Sequence, residues 1–570
     1  MKKTTPDVYD LQSAQFPYLA GFALKLLVKA MESPAKALLL PKLLRDAGIT
    51  QFRELNISEV PTFYPFHNIS QELKETPPVT LAELEKVAMC ATPDKVLPSV
   101  SDYAKAYRNN SATPLQVAEQ VIKAIEHSNN AAPPLRAIIS SLTDDVMKQA
   151  EESSKRLANG NPRSVLEGVP VAVKDEMDLQ GYPTKAGTIF FSNEPAAADA
   201  TIVARLREAG AILIGKANMH EIGMGVTGFN KHYGVARNPY HTAHHTGGSS
   251  SGSAAAVASG ICPIAVSADG GGSIRIPAAF CGMVGLKATF ARMSDYGVAP
   301  LAWSVAHYGA IANCATDAAL AYAIMAGPDA KDPLSMNQPP IELKDWAKKD
   351  LKNIKIGIYR QWFEHAEPET VEICEKMLGH LVDAGAIIKE IEIPDLEAAR
   401  VALSVIISSE MASSQEKYYN SHRHEYGLET RLKLAIARSF TARDYVQAQR
   451  VRTRIIQHFA TLFEQVDLLV TPATALAAPA ISPASLGEGD SDLNLLVEIM
   501  RFASPANLTG LPAISIPAGY TKNGLPVGMQ VMSGAWQEAL LLRTGLIAER
   551  CIEKQRPAIC YSPLDAAIPK

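Results

Sequence analysis

Polar and apolar positions divide this chain near residue 100. Ahead of that point, "FPYLAGFALKLLVKAMESPAKALLLPKLLRDAG" holds two apolar helical patches that Pro34 and Pro41 are expected to break. In the first patch Leu19, Phe22, Leu26 and Met31 fall near one another on a helix, with Lys25 and Lys29 to the side. Its apolar run is about 15 residues, short of the roughly 20 that cross a bilayer. The pattern therefore predicts a helix that packs on the core, lies in a membrane interface, pairs with a second copy or caps an apolar site. A polar stretch marked by Pro61, Pro65, Pro77 and Pro78 follows.

From about Ser101 the periodicity becomes that of an α/β protein. Thr113-Pro114-Leu115-Gln116 reads as a capping box with proline at the first helical position, and Ala118, Val121, Ile122 and Ile125 continue at helical spacing. "GVPVAVKDEMD" predicts a strand with Val169, Val171 and Val173 on one face and Ala172 and Lys174 on the other. "RLREAGAILIGKANMHE" predicts helix, turn and strand, and "KIGIYRQWFEHAEPETVEICEKMLGHLVDAGAIIKEIEIP" a strand-helix-strand unit. Such alternation predicts a parallel or mixed sheet with helices on both faces.

Composition narrows the functional classes. A net charge of −4, without Lys/Arg blocks, gives no footprint for nucleic acid. The seven cysteines are scattered and form no CxxC pair, so neither a disulfide framework nor structural zinc is expected. "MKKTTPDVYDLQ" lacks the apolar core of a secretory signal, which leaves a cytoplasmic protein as the expectation.

Several motifs fail on inspection. Gly210 to Lys216 has P-loop spacing, but Ala217 stands where Ser or Thr should bind Mg²⁺, and the intervening residues are strand-forming. No GxGxxG can be read around Gly247, and His241, His244 and His245 sit in a polar segment with no carboxylate nearby. The GxSxG elbow is absent as well.

What remains is "TGGSSSGSAAAVASGICPIAVSADGGGSIRIPAAFCG", residues 246–282, rich in serine among glycines yet without His, Glu or Lys. A serine hydroxyl is a weak nucleophile until a base takes its proton. Lys174 is a candidate base, being the only charge in "GVPVAVK" at the end of a strand that disfavours an ammonium ion. Pairing of Lys174 with Asp175 or Glu176 explains it equally well, and a histidine reaching a serine from elsewhere in the fold is a further option.

"GVPVAVKD", "TGGSSSGSAA" and "DGGGSIRIPAAFCGMVGLK" resemble, in order and spacing, the signature of the amidase signature family of serine hydrolases. "DLLVTPAT" and "NLTGLPAISIPAGYTKNGLPVGMQVM" look like its C-terminal part. The segments "VSDYAKAYRNNSATPLQVAEQVI", "GKANMHEIGMGVTG" and "RSFTARDYVQAQRVR", with the first hundred residues, look like the plant-type fatty acid amide hydrolases within it.

The resemblance implies an α/β amidase signature fold: a large twisted mixed sheet covered by helices over residues 101–570, with a helical extension over 1–100. It implies a Ser-cisSer-Lys triad of Ser273 as nucleophile, Ser249 as bridging serine after a cis peptide bond, and Lys174 as base. The N–H groups of Gly270, Gly271, Gly272 and Ser273 would form the oxyanion hole, with Ser250, Asp269 and Arg275 in support. The glycine at the first position of the GGG triplet hints at a pocket wall different from that of relatives with a larger residue there. The implied activity is hydrolysis of fatty acid amides without metal or cofactor, in a chain expected to be a homodimer with possible peripheral membrane contact. The rival readings are an amidase for smaller aryl or alkyl amides, an inactive membrane scaffold, and an amidotransferase subunit.

Overall fold

The continuous apolar runs of the middle of the chain become strands buried on both faces. The computed structural model describes residues 8–11, 17–67, 80–91 and 96–568; the leading lysines, Pro77 and Pro78 lie outside them. In chain order the strands are β1 (Leu19–Ala20), β2 (Ile138–Ser140), β3 (Pro170–Lys174), β4 (Ile212–Ala217), β5 (Ile264–Asp269), β6 (Val284–Lys287), β7 (His307–Ala312), β8 (Lys355–Ile358), β9 (Ile387–Glu390), β10 (Leu468–Pro472), β11 (Asp490–Ser491), β12 (Ala513–Tyr520) and β13 (Pro526–Ser533). An 11-stranded sheet has the order β2-β4-β3-β5-β7-β6-β12-β13-β10-β8-β9.

The sheet is mixed for a reason visible in its connections. Crossovers of the kind the periodicity predicts make β3 parallel to β4 and β5, and β8 parallel to β9 and β10. Between these flanks β5, β7, β6, β12, β13 and β10 run antiparallel. The β12–β13 hairpin turns at Asn523-Gly524, where Gly524 takes φ +77°. Every residue of β3, β4 and β5 is buried, so both faces there are covered.

The Thr113 capping box forms: its hydroxyl accepts from Gln116 N while the Gln116 side chain accepts from Thr113 N. Two expectations for the first hundred residues change. Pro41 does not break a helix but sits inside Lys36–Asp46. Pro41 and Ala37, whose carbonyl loses its helical donor, are both exposed, so the cost of the missing bond is not compounded by burial. The first helix, Gly21–Met31, packs through Leu24, Val28 and Met31 against Leu428, Leu432 and Ala435. Phe22 and Leu26, grouped with Met31 by the sequence pattern, instead face outward at 75% and 50% exposure.

Residues 54–67 form an irregular strap that follows the short helix Ile49–Arg53; its first part, to Phe63, runs along helix Ala442–Phe463 and its end packs on Phe290 and Trp536. Arg53 pairs with Asp444 at 2.7 Å, Arg454 with Glu59 at 2.9 Å, and Arg452 donates to Phe63 O at 2.8 Å. Arg452 also donates to Ser304 O, and Ser304 is held by Glu410 of helix Leu396–Ser414. The strap is thereby tied to the loop 300–306. Leu44, Ile49 and Phe52 join the apolar core built around helices Leu396–Ser414 and Ala442–Phe463. Among the described residues no helix is long and apolar enough to cross a membrane.

Candidate active site

Three adjoining segments converge at the ends of β3 and β5. Lys174 closes β3, whose register opposite β5 sets Val173 against Val266 and carries the lysine toward the end of the neighbouring strand. Its side chain is 1% exposed, and its Nζ lies 2.8 Å from Ser249 Oγ, 3.3 Å from Ala268 O and 3.1 Å from Glu176 Oε1. Burial pushes the Lys174 amine below its usual range, while the Glu176 carboxylate opposes that shift. The two options left open by the sequence thus coexist: Lys174 touches a serine and pairs with Glu176. Asp175 faces elsewhere, 3.7 Å from Lys216 and accepting from Gly187 N.

Ser249 precedes the buried small-residue helix Ser251–Ala258. The Gly248–Ser249 peptide bond is cis. His220 N and Ser251 N both donate to Ser249 O. A side chain at Gly252 would collide with Ala137 O and Asn218 N at 2.3 Å, so only glycine lets this helix approach β4 so closely. Ser250 donates its hydroxyl to Ala268 O and its N–H to Ser273 O, linking this loop to the next.

The loop after β5 is organised by Asp269. Its carboxylate accepts from Gly272 N at 2.6 Å, Ile274 N at 3.1 Å and both Nε and Nη2 of Arg275 at 3.0 Å. Burial opposes ionisation here, yet the Arg275 guanidinium holds the acid well below the usual carboxylate range. Arg275 in turn reaches Asn507 and Gln530, and Asn507 donates back to Asp269. Asn507 and Gln530 carried no assigned role in the sequence; the only signal was that "NLTGLP" and "GMQVM" lie in segments that resemble the family.

The engagement of Gly272 N–H by Asp269 narrows the implied oxyanion hole. Among the described residues the N–H groups of Gly270, Gly271 and Ser273 have no hydrogen-bond partner, whereas that of Gly272 is taken. Gly272 has φ +113°, and a Cβ there would meet Ile276 Cδ1 at 2.5 Å.

Lys174, Ser249, Gly270 and Ser273 border one cavity of about 270 Å³. Ser273 Oγ makes no hydrogen bond among the described residues and opens toward this space. The opposite wall is apolar, from Leu301, Ala302 and Trp303 on the loop and Ile407 and Met411 on helix Leu396–Ser414. The missing Cβ of Gly270 leaves room taken up by Ile407 Cδ1, 3.1 Å from where it would stand. Glu176, Asp295 and Tyr308 give one side of the cavity its polar character.

The other candidates lie apart from this cavity. The His220 ring faces Glu429 at 3.5 Å and is pushed down to about 4 by burial. His241 and His244 contact each other edge to face at 4.4 Å between ring centres. Lys216, in the rejected P-loop, lies on a strand and donates to Met177 O.

A buried amine against one serine, a second serine open to a cavity and unpaired N–H groups beside it can together activate a hydroxyl and hold an oxyanion. Comparison with known proteins agrees in chemistry. The family model described as Amidase matches residues 117–542. A fatty acid amide hydrolase of Oryza sativa subsp. japonica is 38% identical, covering 98% of this chain and 97% of its own. A glutamyl-tRNA(Gln) amidotransferase subunit of Cyanothece sp. is 33% identical over 75% of this chain and 93% of its own. The structure of native peptide amidase from Stenotrophomonas maltophilia superposes with TM-score 0.69 at 28% identity, covering 81% of this chain and 98% of that one.

Proposed function

This chain belongs to the amidase signature family, and from that premise we propose that it is a serine amidase that hydrolyses fatty acid amides, N-acylethanolamines and primary fatty amides among them, to a free fatty acid and an amine. The observation that carries the chemistry is the 2.8 Å approach of buried Lys174 Nζ to Ser249 Oγ on the wall shared with Ser273.

Neutral Lys174 takes the proton of Ser249, Ser249 takes that of Ser273, and Ser273 Oγ bonds to the amide carbonyl carbon. The N–H groups of Gly270, Gly271 and Ser273 receive the oxyanion. The relay then runs backward, delivering the proton to the departing nitrogen as the C–N bond breaks and the acyl-enzyme forms. Water repeats the path, and the acid leaves. Ser250, Asp269 and Arg275 hold the two serine loops in register, and no step calls on a metal or cofactor.

The substrate class rests on coverage and on the cavity wall. Fatty acid amide hydrolase relatives match nearly the whole chain, including the first hundred residues, whereas the amidotransferase relative matches 75% of it. The apolar wall from Leu301 to Trp303 and at Ile407 and Met411 suits an acyl chain.

Residues 1–100 form an extension on a catalytic unit of 101–570, bracing the cavity wall through the strap. The outward-facing Phe22, Leu26 and Leu38 support contact with a lipid surface or with a second copy of the chain. All seven cysteines are free thiols, which suits a cytoplasmic setting.

A serine-reactive fluorophosphonate tests the nucleophile. Purified protein should become labelled on Ser273 as mapped by mass spectrometry, and Ser273→Ala should not. Labelling elsewhere, or a Ser273→Ala variant that still hydrolyses amides, would refute the mechanism. Hydrolysis that appears only with ATP and a partner protein would favour the amidotransferase reading.

A further inference from the structure

A neutral amine has two hydrogens and one lone pair, and a base works only if the lone pair faces the proton to be taken. Lys174 Nζ has three polar neighbours: Ser249 Oγ, Ala268 O and Glu176 Oε1. Ala268 O can only accept, and so can an ionised carboxylate. We propose that Glu176 is a positioning residue for the base: with Ala268 O it takes up both hydrogens of neutral Lys174, leaving the lone pair aimed at the Ser249 hydroxyl. This rests on the reading of Lys174 as the base.

Local geometry makes the pair specific. Met177 N donates to Lys174 O, so the chain turns just after β3 and brings residue 176 back over residue 174. Ala299 N donates to Glu176 O at 2.7 Å and fixes that turn. The Glu176 side chain is 6% exposed, borders the cavity, and has Lys174 as the only hydrogen-bond or ion-pair partner of its carboxylate among the described residues. A carboxylate serving only to hold the scaffold has Asp175 as its model next door, tied to Lys216 and Gly187 N away from both serines.

Charge gives the carboxylate a second effect. Burial alone pushes Lys174 down, and a lysine pushed too far cannot retain the proton while the acyl bond forms. Glu176 counteracts this and stabilises the ammonium produced when Ser249 gives up its proton. The other charged or titratable groups facing the pair are Asp269 from the end of β5, His220 across the Ser249 loop, and Lys216 and Tyr308 around Glu176.

The test is the pH profile of kcat/KM for the full-length enzyme and three variants, with thermal unfolding followed in parallel. Removing a negative charge beside an ammonium lowers its pKa. Glu176→Gln should therefore move the acid limb down by about one unit or more and lower the plateau by roughly tenfold to hundredfold. Glu176→Asp keeps the charge but withdraws it, so its limb should stay near that of the parent while the plateau falls about tenfold. Lys174→Ala should lose the limb altogether.

An unmoved limb in Glu176→Gln, with Lys174→Ala inactive, overturns the role of Glu176 and leaves Lys174 as base. If Glu176→Gln does not fold, an unchanged plateau in Glu176→Asp overturns the orienting role. Activity of Lys174→Ala equal to that of the parent overturns the base reading and this inference with it.

Discussion

Burial acts on Lys174 and Asp269 in opposite chemical directions, and the neighbours decide the outcome. Desolvation of Lys174 outweighs the pull of Glu176 and the lesser pull of Asp269, and the amine stays below its usual range. Asp269 has Arg275 and several N–H donors, and stays ionised. A depressed acid stabilises the fold above its unfolded pKa of about 3.9 and loses that contribution as pH falls toward its folded value. Asp269→Asn leaves the Arg275 cation buried without its counter-charge, at a cost of about 3 to 5 kcal/mol. The urea midpoint of Asp269→Asn should therefore lie below that of the parent by a constant gap from pH 8 to about pH 5, narrowing below about pH 4. A gap that widens in acid would contradict this reading.

Among the elements, those packed on two sides were the most legible. β3 and β4 were read as strands because both faces are covered and their apolar runs are continuous, β5 went unread inside the serine-rich stretch, and the Thr113 capping box read correctly because its bonds are local. Helix Gly21–Met31 misled because it is apolar nearly all round, so periodicity cannot tell Leu24, Val28 and Met31 from Phe22 and Leu26. The strap around Pro61 and Pro65 was silent, since arginines nearly 400 positions later hold it. The outward face of that first helix has its own test. Phe22→Asp combined with Leu26→Asp should reduce sedimentation with phosphatidylcholine vesicles while leaving hydrolysis of a soluble short-chain amide unchanged. Undiminished vesicle binding would remove this face as the lipid contact.

For the molecule as a whole, the sequence marked three residues that the fold brings to one cavity, but not their surroundings. Lys174, Ser249 and Ser273 are 99 positions apart at the extremes and meet because β3 and β5 are sheet neighbours. Family motifs carried that much. The capture of Gly272 N–H by Asp269 is a bond over three positions that the motif did not announce, the pairing of Lys174 with Glu176 was one of the options the sequence left open, and only the wall supplied by Ile407 and Met411 depends on a distant segment that no local pattern encodes. The same wall, braced by Ser304, Glu410, Arg452 and the strap, makes acyl length the property on which the function turns. The most direct measurement is kcat/KM of the purified chain for N-acylethanolamines of increasing acyl length, with Ser273→Ala as the blank. The value should climb by at least about tenfold, or 1.4 kcal/mol of transition-state binding, from short to long acyl chains, and vanish in Ser273→Ala. A rate independent of chain length, or one that survives in Ser273→Ala, would contradict a fatty acid amide hydrolase built on this site.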